Sequence, residues 1–193
     1  SHAASILLAA LLFVATAVAT VNAYSVDDCV VTLSADDKPP EGVLEGPYTD
    51  LTNVLWVGNP NSTTFLEEET VLKQLASELT SCERWTLKGG ALYLPRADFL
   101  TGNGDLGPLA TLTAITGTSN AGYSLFIADS DNLETLDDFA ALRGELPGGL
   151  FIRGNNKLRT LDGLSGLAGI DAEGAAAGKA DYYSLNIAGN KRL

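Results

Sequence analysis

A motif of apolar residues recurs along the second half of this chain at a fixed spacing. The segment from Leu125 to Leu142 is repeated from Leu150 to Leu167, with each apolar position displaced by 25 residues. A third copy begins at Leu185 and breaks off at Leu193, where the sequence ends. A period in this range is typical of a solenoid, in which stacked repeats bury one continuous core.

Each copy opens with a Leu-x-Ile-like triplet, and this alternation predicts a short strand with two inward residues and one outward residue. A further triplet begins at Leu92, so that successive copies are separated by 33, 25 and 35 residues. The longer steps hold insertions at 101–108 and 171–180. We therefore predict an α/β fold: a short right-handed leucine-rich-repeat-like solenoid with a parallel sheet and one strand per irregular 25–35-residue repeat.

Asparagine occupies one inward position after the strand in two of the copies, as Asn155 and Asn190. The amide group of an inward asparagine can bond backbone groups of the adjacent turn, which otherwise have no partner in a buried bend. The equivalent residues in the earlier copies are Ser130 and Ala97, so we expect an imperfect ladder.

The outward position of the triplets is mostly aromatic. Its members are Tyr93, Phe126, Phe151 and Asn186, with Trp56 at the matching place in Leu55-Trp-Val57. Neighbouring outward residues would form a row, and exposed aromatic rows mark interaction surfaces. We predict that this row, together with Arg153, binds a ligand; the alternative is that the N-terminal segment or a long loop covers it.

The region before the repeats predicts three further elements. Cys29–Leu33 and Leu55–Val57 have the composition of short strands, and Thr64–Leu79 is predicted to be a helix. Val71, Leu72, Leu75 and Leu79 lie on one face of that helix. The predicted organisation is therefore a leader at 1–23, an N-terminal capping region at 24–82 and repeats at 83–193.

Residues 3–21 are almost wholly apolar and are followed by Val21-Asn22-Ala23, which suits cleavage by a signal peptidase. A retained membrane anchor is the alternative, because a 19-residue helix is about 28 Å long and a hydrocarbon core is about 30 Å thick. Either interpretation predicts a secreted or cell-surface protein. The absence of methionine and the interrupted last repeat predict a piece of a longer protein.

The composition argues against several functions. The 193 residues carry a net charge of −12, which disfavours nucleic acid as a partner. His2 is the single histidine and lies in the leader, with which it would be removed, so catalytic sets built on histidine are not expected. No pair of acidic residues stands in a setting that predicts a shifted pKa. We expect a protein that is not an enzyme and that has no cofactor.

Three residues are candidates for covalent modification. Cys29 and Cys82 are the only cysteines, and in a secreted chain two cysteines predict one disulfide. Two free thiols are the alternative. Asn61 opens an Asn-Ser-Thr acceptor for N-glycosylation, which matters only in a eukaryotic secretory pathway.

Two short motifs match binding signatures only superficially. Gly102–Gly107 fits the GxGxxG pattern but lacks the preceding strand and following helix that a dinucleotide site needs, so we expect a surface loop. Asp129–Asn132 has oxygen ligands but lacks the glycine and distal glutamate of an EF-hand, so we expect a solvated turn and no metal site.

The segment from residue 79 to residue 193 resembles the receptor L-domain group of leucine-rich repeats. The resemblance rests on Cys82 shortly before the first triplet and on the Leu-x-Ile-x-x-Asn-x-x-Leu-x-x-Leu-Asp-Gly-Leu run at Leu150–Leu164. It extends more faintly to the cysteine and strand at Cys29–Leu33. Members of this group form the ligand-binding lobes of insulin- and epidermal-growth-factor-type receptors and occur in fungal and protist cell-surface proteins.

The resemblance implies an extracellular recognition module that binds protein or glycan through its sheet face. The alternative is a structural subunit of a wall, matrix or membrane assembly. In that case residues 3–21 would give a membrane contact if retained, and the strand at Leu185–Ile187 would offer an open edge for self-association.

Overall fold

The computed structural model describes residues 24–33, 52–57, 68–104, 107–171 and 184–193. The apolar leader at 1–23, the glycosylation acceptor Asn61 and most of the second insertion lie outside these residues. The described residues form eleven strands and one α-helix, α1 (Glu68–Glu78). In chain order the strands are β1 (Tyr24–Asp27), β2 (Val30–Leu33), β3 (Val54–Trp56), β4 (Trp85–Lys88), β5 (Ala91–Pro95), β6 (Leu112–Ile115), β7 (Tyr123–Ala128), β8 (Gly144–Leu146), β9 (Gly149–Arg153), β10 (Leu167–Ile170) and β11 (Leu185–Ala188).

The predicted triplets all lie in one five-stranded parallel sheet with the order β11-β9-β7-β5-β3. The first leucines of the four triplets are aligned across it, since Leu92 pairs with Leu125, Leu125 with Leu150, and Leu150 with Leu185. This alignment follows the 33-, 25- and 35-residue steps of the sequence motif. The predicted strands and their parallel pairing are therefore confirmed.

A second set of strands was not predicted. β1, β2, β4 and β6 form one sheet, in which β1 is antiparallel to β2 and the other pairs are parallel. β8 and β10 form a further parallel pair. The expectation of one strand per repeat was wrong, because β4, β6, β8 and β10 each precede a triplet strand and give every repeat two strands.

Both sheets continue across the predicted boundary between the capping region and the repeats. β2 pairs in parallel with β4, and β3 pairs in parallel with β5. The segment before residue 83 therefore contributes strands of the same kind as the repeats.

One apolar core joins the two sets of strands. It contains Leu87 and Ile115 from the first sheet, and Leu92 and Ile127 from the five-stranded sheet. The later leucines of the motif, such as Leu136, are also buried in it, as the sequence predicted. Burying one such side chain contributes roughly 1.5–3 kcal/mol, so each repeated leucine stabilises the fold measurably.

The predicted helix is present as α1, which spans Glu68–Glu78; residues 64–67 lie outside the described part. Leu72, Leu75 and Leu79 pack into the core, so the predicted apolar face is the buried one. The Thr80 hydroxyl donates to main-chain carbonyls in the last turn of the helix, at 2.8 and 2.9 Å.

Cys29 and Cys82 form a disulfide, as predicted. Cys29 lies in the turn between β1 and β2, and its carbonyl accepts a hydrogen bond of 3.1 Å from the Thr86 N–H in β4. The disulfide thus fastens the edge of the first sheet to the segment between α1 and β4. Within the described ranges, no helix has both the length and the apolar composition for a membrane crossing.

Candidate functional site

The predicted aromatic row exists as one line across the five-stranded sheet. Trp56 pairs with Tyr93, Tyr93 with Phe126, Phe126 with Phe151, and Phe151 with Asn186. Side chains at paired positions of adjacent parallel strands lie on the same face, about 4.8 Å apart. This spacing places consecutive aromatic rings in contact.

The first two members of the row are not exposed, which corrects the prediction that they contact a ligand. Trp56 and Tyr93 are each 1% exposed and belong to a second apolar cluster. Ala121 and Tyr123 pack against this cluster, and the Tyr93 hydroxyl lies 2.8 Å from the Ser119 hydroxyl. This end of the row is therefore covered by a loop, which is the alternative that the sequence had left open.

The covering loop, residues 119–123, is itself fastened to the sheet. The Asn120 side-chain oxygen accepts a hydrogen bond of 3.0 Å from the Thr52 N–H, just before β3. Within the loop, the Ser119 N–H donates to the Tyr123 carbonyl at 2.9 Å. Trp56 and Tyr93 are thus structural residues that support the rest of the row from one side.

The remainder of the row reaches the surface. Phe126, Phe151 and Asn186 are half-buried, and Arg153 is exposed at the next outward position of β9. We call these four residues the aromatic patch. The neighbours of Arg153 in the register are Ala128 and Ala188, so small side chains flank the guanidinium group.

The rings of the patch are stacked in a fixed arrangement. The Phe126 and Phe151 centroids are 4.4 Å apart with planes inclined by 6°, and Tyr93 stacks on Phe126 at 4.6 Å and 12°. Tyr123 contacts the edge of the stack, 5.4 Å from Phe151 in a T-shaped geometry. Offset stacks and edge contacts of this kind are worth about 0.5–1.5 kcal/mol each beyond area burial, so the patch is ordered before any ligand binds.

The stack ends at Phe151, because the next member of the row is Asn186. An amide beside a ring can donate and accept hydrogen bonds, and Arg153 adds an exposed cation with several donors. The aromatic patch therefore combines an apolar surface with polar groups at its border, an arrangement typical of recognition surfaces.

Sequence reasoning missed Tyr123. Strict alternation from Leu125 would point Tyr123 inward, but the register is irregular between these two residues. Ser124 is buried instead, and its hydroxyl donates to the Gly117 carbonyl at 2.8 Å. Irregularities of this kind redirect side chains, and no residue type in the sequence signals this one.

The predicted inward asparagines form a polar ladder beneath the ends of the strands. The Asn155 side chain accepts from the Ser130 N–H at 3.0 Å and donates to the Ile127 carbonyl at 3.1 Å. Asn190 repeats both contacts one strand further on, with the Asn155 N–H at 2.9 Å and the Ile152 carbonyl at 3.0 Å. The predicted role of these asparagines is confirmed.

Ser130 occupies the equivalent position in the preceding repeat, where the sequence predicted a weaker contact than the structure shows. Its hydroxyl accepts from the Ala97 N–H at 2.9 Å and lies 3.4 Å from the Leu94 carbonyl. The polar ladder therefore runs from Ala97 through Ser130 and Asn155 to Asn190 and joins four consecutive triplet strands.

The residue just before each ladder position has a left-handed backbone. Its φ is 50° at Arg96, 54° at Asp129, 72° at Gly154 and 67° at Gly189. At Arg96, Asp129 and Gly154 the N–H of this residue donates to the neighbouring strand, for example from Asp129 to the Arg153 carbonyl at 2.9 Å. The same sharp turn thus follows every triplet strand from β5 onward, whichever residue occupies it.

The described residues of the GxGxxG match and of the Asp129–Asn132 motif lie in turns. The Asp131 carboxylate accepts a hydrogen bond of 2.6 Å from the Asn156 side chain, and the Asn132 side-chain oxygen accepts one of 2.8 Å from Lys157. These oxygen atoms are therefore engaged with other side chains of the protein. Gly104 donates to the Asp138 carboxylate at 2.9 and 3.0 Å. The chain that follows enters a 3-10 turn at Gly107–Thr111. Across the described ranges, no three metal-ligating side chains lie together.

Electrostatics do not single out a catalytic group in the patch. Among the described residues, Tyr24 has a pKa that is raised clearly above its ordinary value, mainly by burial and to a lesser extent by the Glu78 carboxylate. Tyr24 lies in β1 and packs against the main core, in a different sheet from the aromatic patch.

Comparison with models of protein families, with curated proteins and with solved structures gives no match for this chain.

Proposed function

We propose that this chain is an extracellular or cell-surface recognition module that binds protein or glycan through the outer face of its five-stranded sheet. The observation that carries the proposal is the aromatic patch, in which the stacked Phe126 and Phe151 reach the surface beside Arg153 and Asn186. An ordered surface of this kind binds with little loss of side-chain entropy, because its rotamers are already fixed.

The proposal places this sheet in a leucine-rich-repeat-like solenoid of the receptor L-domain type. Its support is the recurrence of one strand, one left-handed turn and one ladder position at each step of the sequence motif. The disulfide supports an extracytoplasmic location, because disulfides persist in oxidising compartments. A recognition role rather than an enzymatic one agrees with a composition whose single histidine is His2.

We expect the double variant Phe126→Ser/Phe151→Ser to fold and to lose ligand binding. The two rings are half-buried, and their removal loses ring contacts worth about 0.5–1.5 kcal/mol each, so the melting temperature should fall by roughly 5–15 °C while the chain remains folded at room temperature. Binding should be measured on a glycan array and with a displayed peptide library, with the unaltered chain screened in parallel. At least a tenfold loss of affinity is expected for ligands that the unaltered chain selects.

Trp56→Ser provides the matched control, because Trp56 belongs to the same row but is 1% exposed. It should destabilise the fold by about 3–5 kcal/mol, the range for loss of a large buried aromatic side chain. The proposal fails if the unaltered chain selects no ligand, or if the double variant binds as well as the unaltered chain.

A structural subunit is the second candidate, and the exposed apolar residues at the last strand favour it. Leu185 is 52% exposed and Ile187 is 39% exposed, and among the described strands β11 has a neighbour on one side alone; open strand edges pair with other chains. Size-exclusion chromatography with light scattering separates the two functions. We expect a monomer at micromolar concentration; a concentration-dependent assembly that Leu185→Asp abolishes would favour the structural role.

A further inference from the structure

The phenylalanine rings of the aromatic patch turn their faces toward each other. Phe126 lies between two nearly parallel rings, with Tyr93 at 4.6 Å and 12° on one side and Phe151 at 4.4 Å and 6° on the other. Both faces of Phe126 are therefore covered, and Phe151 has one face covered and the other toward Asn186 in the register. Because the stack runs from strand to strand along the row, the ring planes stand across the row and the rings reach the surface by their edges.

Tyr123 contacts the two phenylalanine rings from one side. Its ring is inclined at 68° to Phe126 and at 73° to Phe151, with centroids 6.1 and 5.4 Å away. In the register Tyr123 pairs with Gly149, so it lies on the side of the row toward the start of the strands. On the opposite side, toward the end of the strands, Arg153 follows Phe151 at the next outward position of β9. The ring edges on that side therefore adjoin the guanidinium group.

Ring faces are the part of an aromatic side chain on which carbohydrates bind. The face is negative and attracts the C–H groups of a sugar ring, whereas the edge is positive and repels them. Since Phe126 and Phe151 turn their faces to neighbouring rings, the stack offers a carbohydrate little of the surface that it needs. Carboxylates, which accept hydrogen bonds from sugar hydroxyls, are also absent from all five described strands of this sheet.

The outer face of the sheet carries a positive charge in an acidic protein. Arg153 is the one charged residue in the five described strands, whereas the whole chain has 24 acidic residues and a net charge of −12. It is exposed and forms no ion pair with any other residue that the structure describes. Together with the positive ring edges, the guanidinium group makes this side of the patch attractive to a carboxylate.

One acidic side chain lies close to this cation. Asp129 is exposed in the turn after β7, and its carboxylate lies against Gly154, the residue that follows Arg153. Asp129 therefore weakens the positive potential at Arg153 without pairing with it, and the negative charge can be removed separately.

We propose that the aromatic patch, in the recognition role already proposed for it, binds an extended polypeptide segment and not a carbohydrate. The segment presents an aliphatic side chain to the ring edges of Phe126 and Phe151 and a carboxylate to Arg153. Phe151 and Arg153 are two residues apart on one strand, a distance of about 6.6 Å. An extended peptide has the same period, so its aliphatic residue and its aspartate or glutamate should be separated by one residue. This proposal depends on the proposed function.

The probes are a displayed library of random short peptides and a glycan array, both screened with the unaltered full chain. We expect the library to yield peptides in which one residue separates an aliphatic side chain from an aspartate or glutamate. We expect the array to yield no glycan. A selected peptide is then synthesised with a fluorescent label, and its affinity is measured by fluorescence anisotropy. Replacement of its acidic residue by lysine should weaken binding at least tenfold, because like charges are then opposed.

Variants of the protein test the role of Arg153. Arg153→Glu should weaken binding of the selected acidic peptide at least tenfold and strengthen binding of its lysine counterpart. Asp129→Asn should strengthen binding of the acidic peptide about threefold, the effect of removing one exposed neighbouring charge. Lys88→Glu is the matched control, because it makes the same change of net charge at an exposed residue of β4, in the other sheet, and should leave the affinity unchanged. Circular dichroism should show that all three variants are folded, since the three residues are exposed.

The outcomes distinguish the peptide proposal from the recognition function on which it depends. Selection of a glycan whose binding is lost in Phe126→Ser/Phe151→Ser would overturn the peptide proposal and leave recognition by the patch intact. The same holds if the selected peptides lack an acidic residue, or if Arg153→Glu leaves their affinity unchanged. Failure of both screens to select any ligand would overturn the peptide proposal and the recognition function together.

Discussion

Replacement of both cysteines by serine is expected to lower the free energy of unfolding by about 4 kcal/mol. The disulfide joins residues 53 positions apart, and closing a loop of that length removes about 4 kcal/mol of chain entropy from the unfolded state. The loss is large beside the 5–15 kcal/mol that typically stabilises a domain. Urea denaturation followed by circular dichroism would measure it.

The unaltered chain under reducing conditions is the natural control for the cysteine variant. It should unfold at the same urea concentration as Cys29→Ser/Cys82→Ser, since both lack the covalent link while retaining nearly the same volume. A change below about 1 kcal/mol would mean that β2 is held by its pairing with β4, and β1 by its pairing with β2, and hardly at all by the covalent link.

Asn155→Ala is expected to destabilise the chain by about 3 kcal/mol. Asn155 is 0% exposed, and its loss would leave the Ser130 N–H and the Ile127 carbonyl without their side-chain partner in the interior. Each buried polar group left unsatisfied costs about 1–3 kcal/mol. Urea denaturation followed by circular dichroism would measure this change in the free energy of unfolding.

Two further variants separate the ladder from the general effect of losing an asparagine. Asn155→Ser should cost roughly half as much, because Ser130 already occupies an equivalent position and bonds the Ala97 N–H. Asn156→Ala removes a neighbouring half-buried amide that bonds the exposed Asp131 side chain, so it should change stability by only about 0.5 kcal/mol. Equal effects of Asn155→Ala and Asn156→Ala would contradict the structural role of the ladder.

The triplet strands and the ladder could be predicted because their signals are local and repeated. The alternation at Leu150-Phe-Ile152 fixes which side chains face the core, and an inward polar residue such as Asn155 has few ways to satisfy its amide group. The disulfide was predictable for a similar reason, because two cysteines allow one intramolecular pairing.

The second set of strands and the limits of the aromatic patch could not be predicted, since both depend on contacts between distant residues. β8 is a three-residue strand in which Gly144 and Glu145 are exposed, so its sequence carries no apolar alternation. The burial of Tyr93 results from the loop containing Ser119, 26 residues further along the chain. Spacing within the motif reveals which residues share a face, whereas it does not reveal what lies over that face.

The left-handed turn after each triplet strand from β5 onward makes a repeat depend on its neighbour. At Arg96 and Asp129 a side chain other than glycine adopts positive φ, which costs roughly 1–2 kcal/mol in isolation. Their N–H groups donate to the Ala128 and Arg153 carbonyls of the following repeat, and these bonds offset that cost. A turn built on a residue other than glycine therefore keeps its shape in the company of the next repeat, whereas the last described turn has Gly189 at this position and meets no such cost.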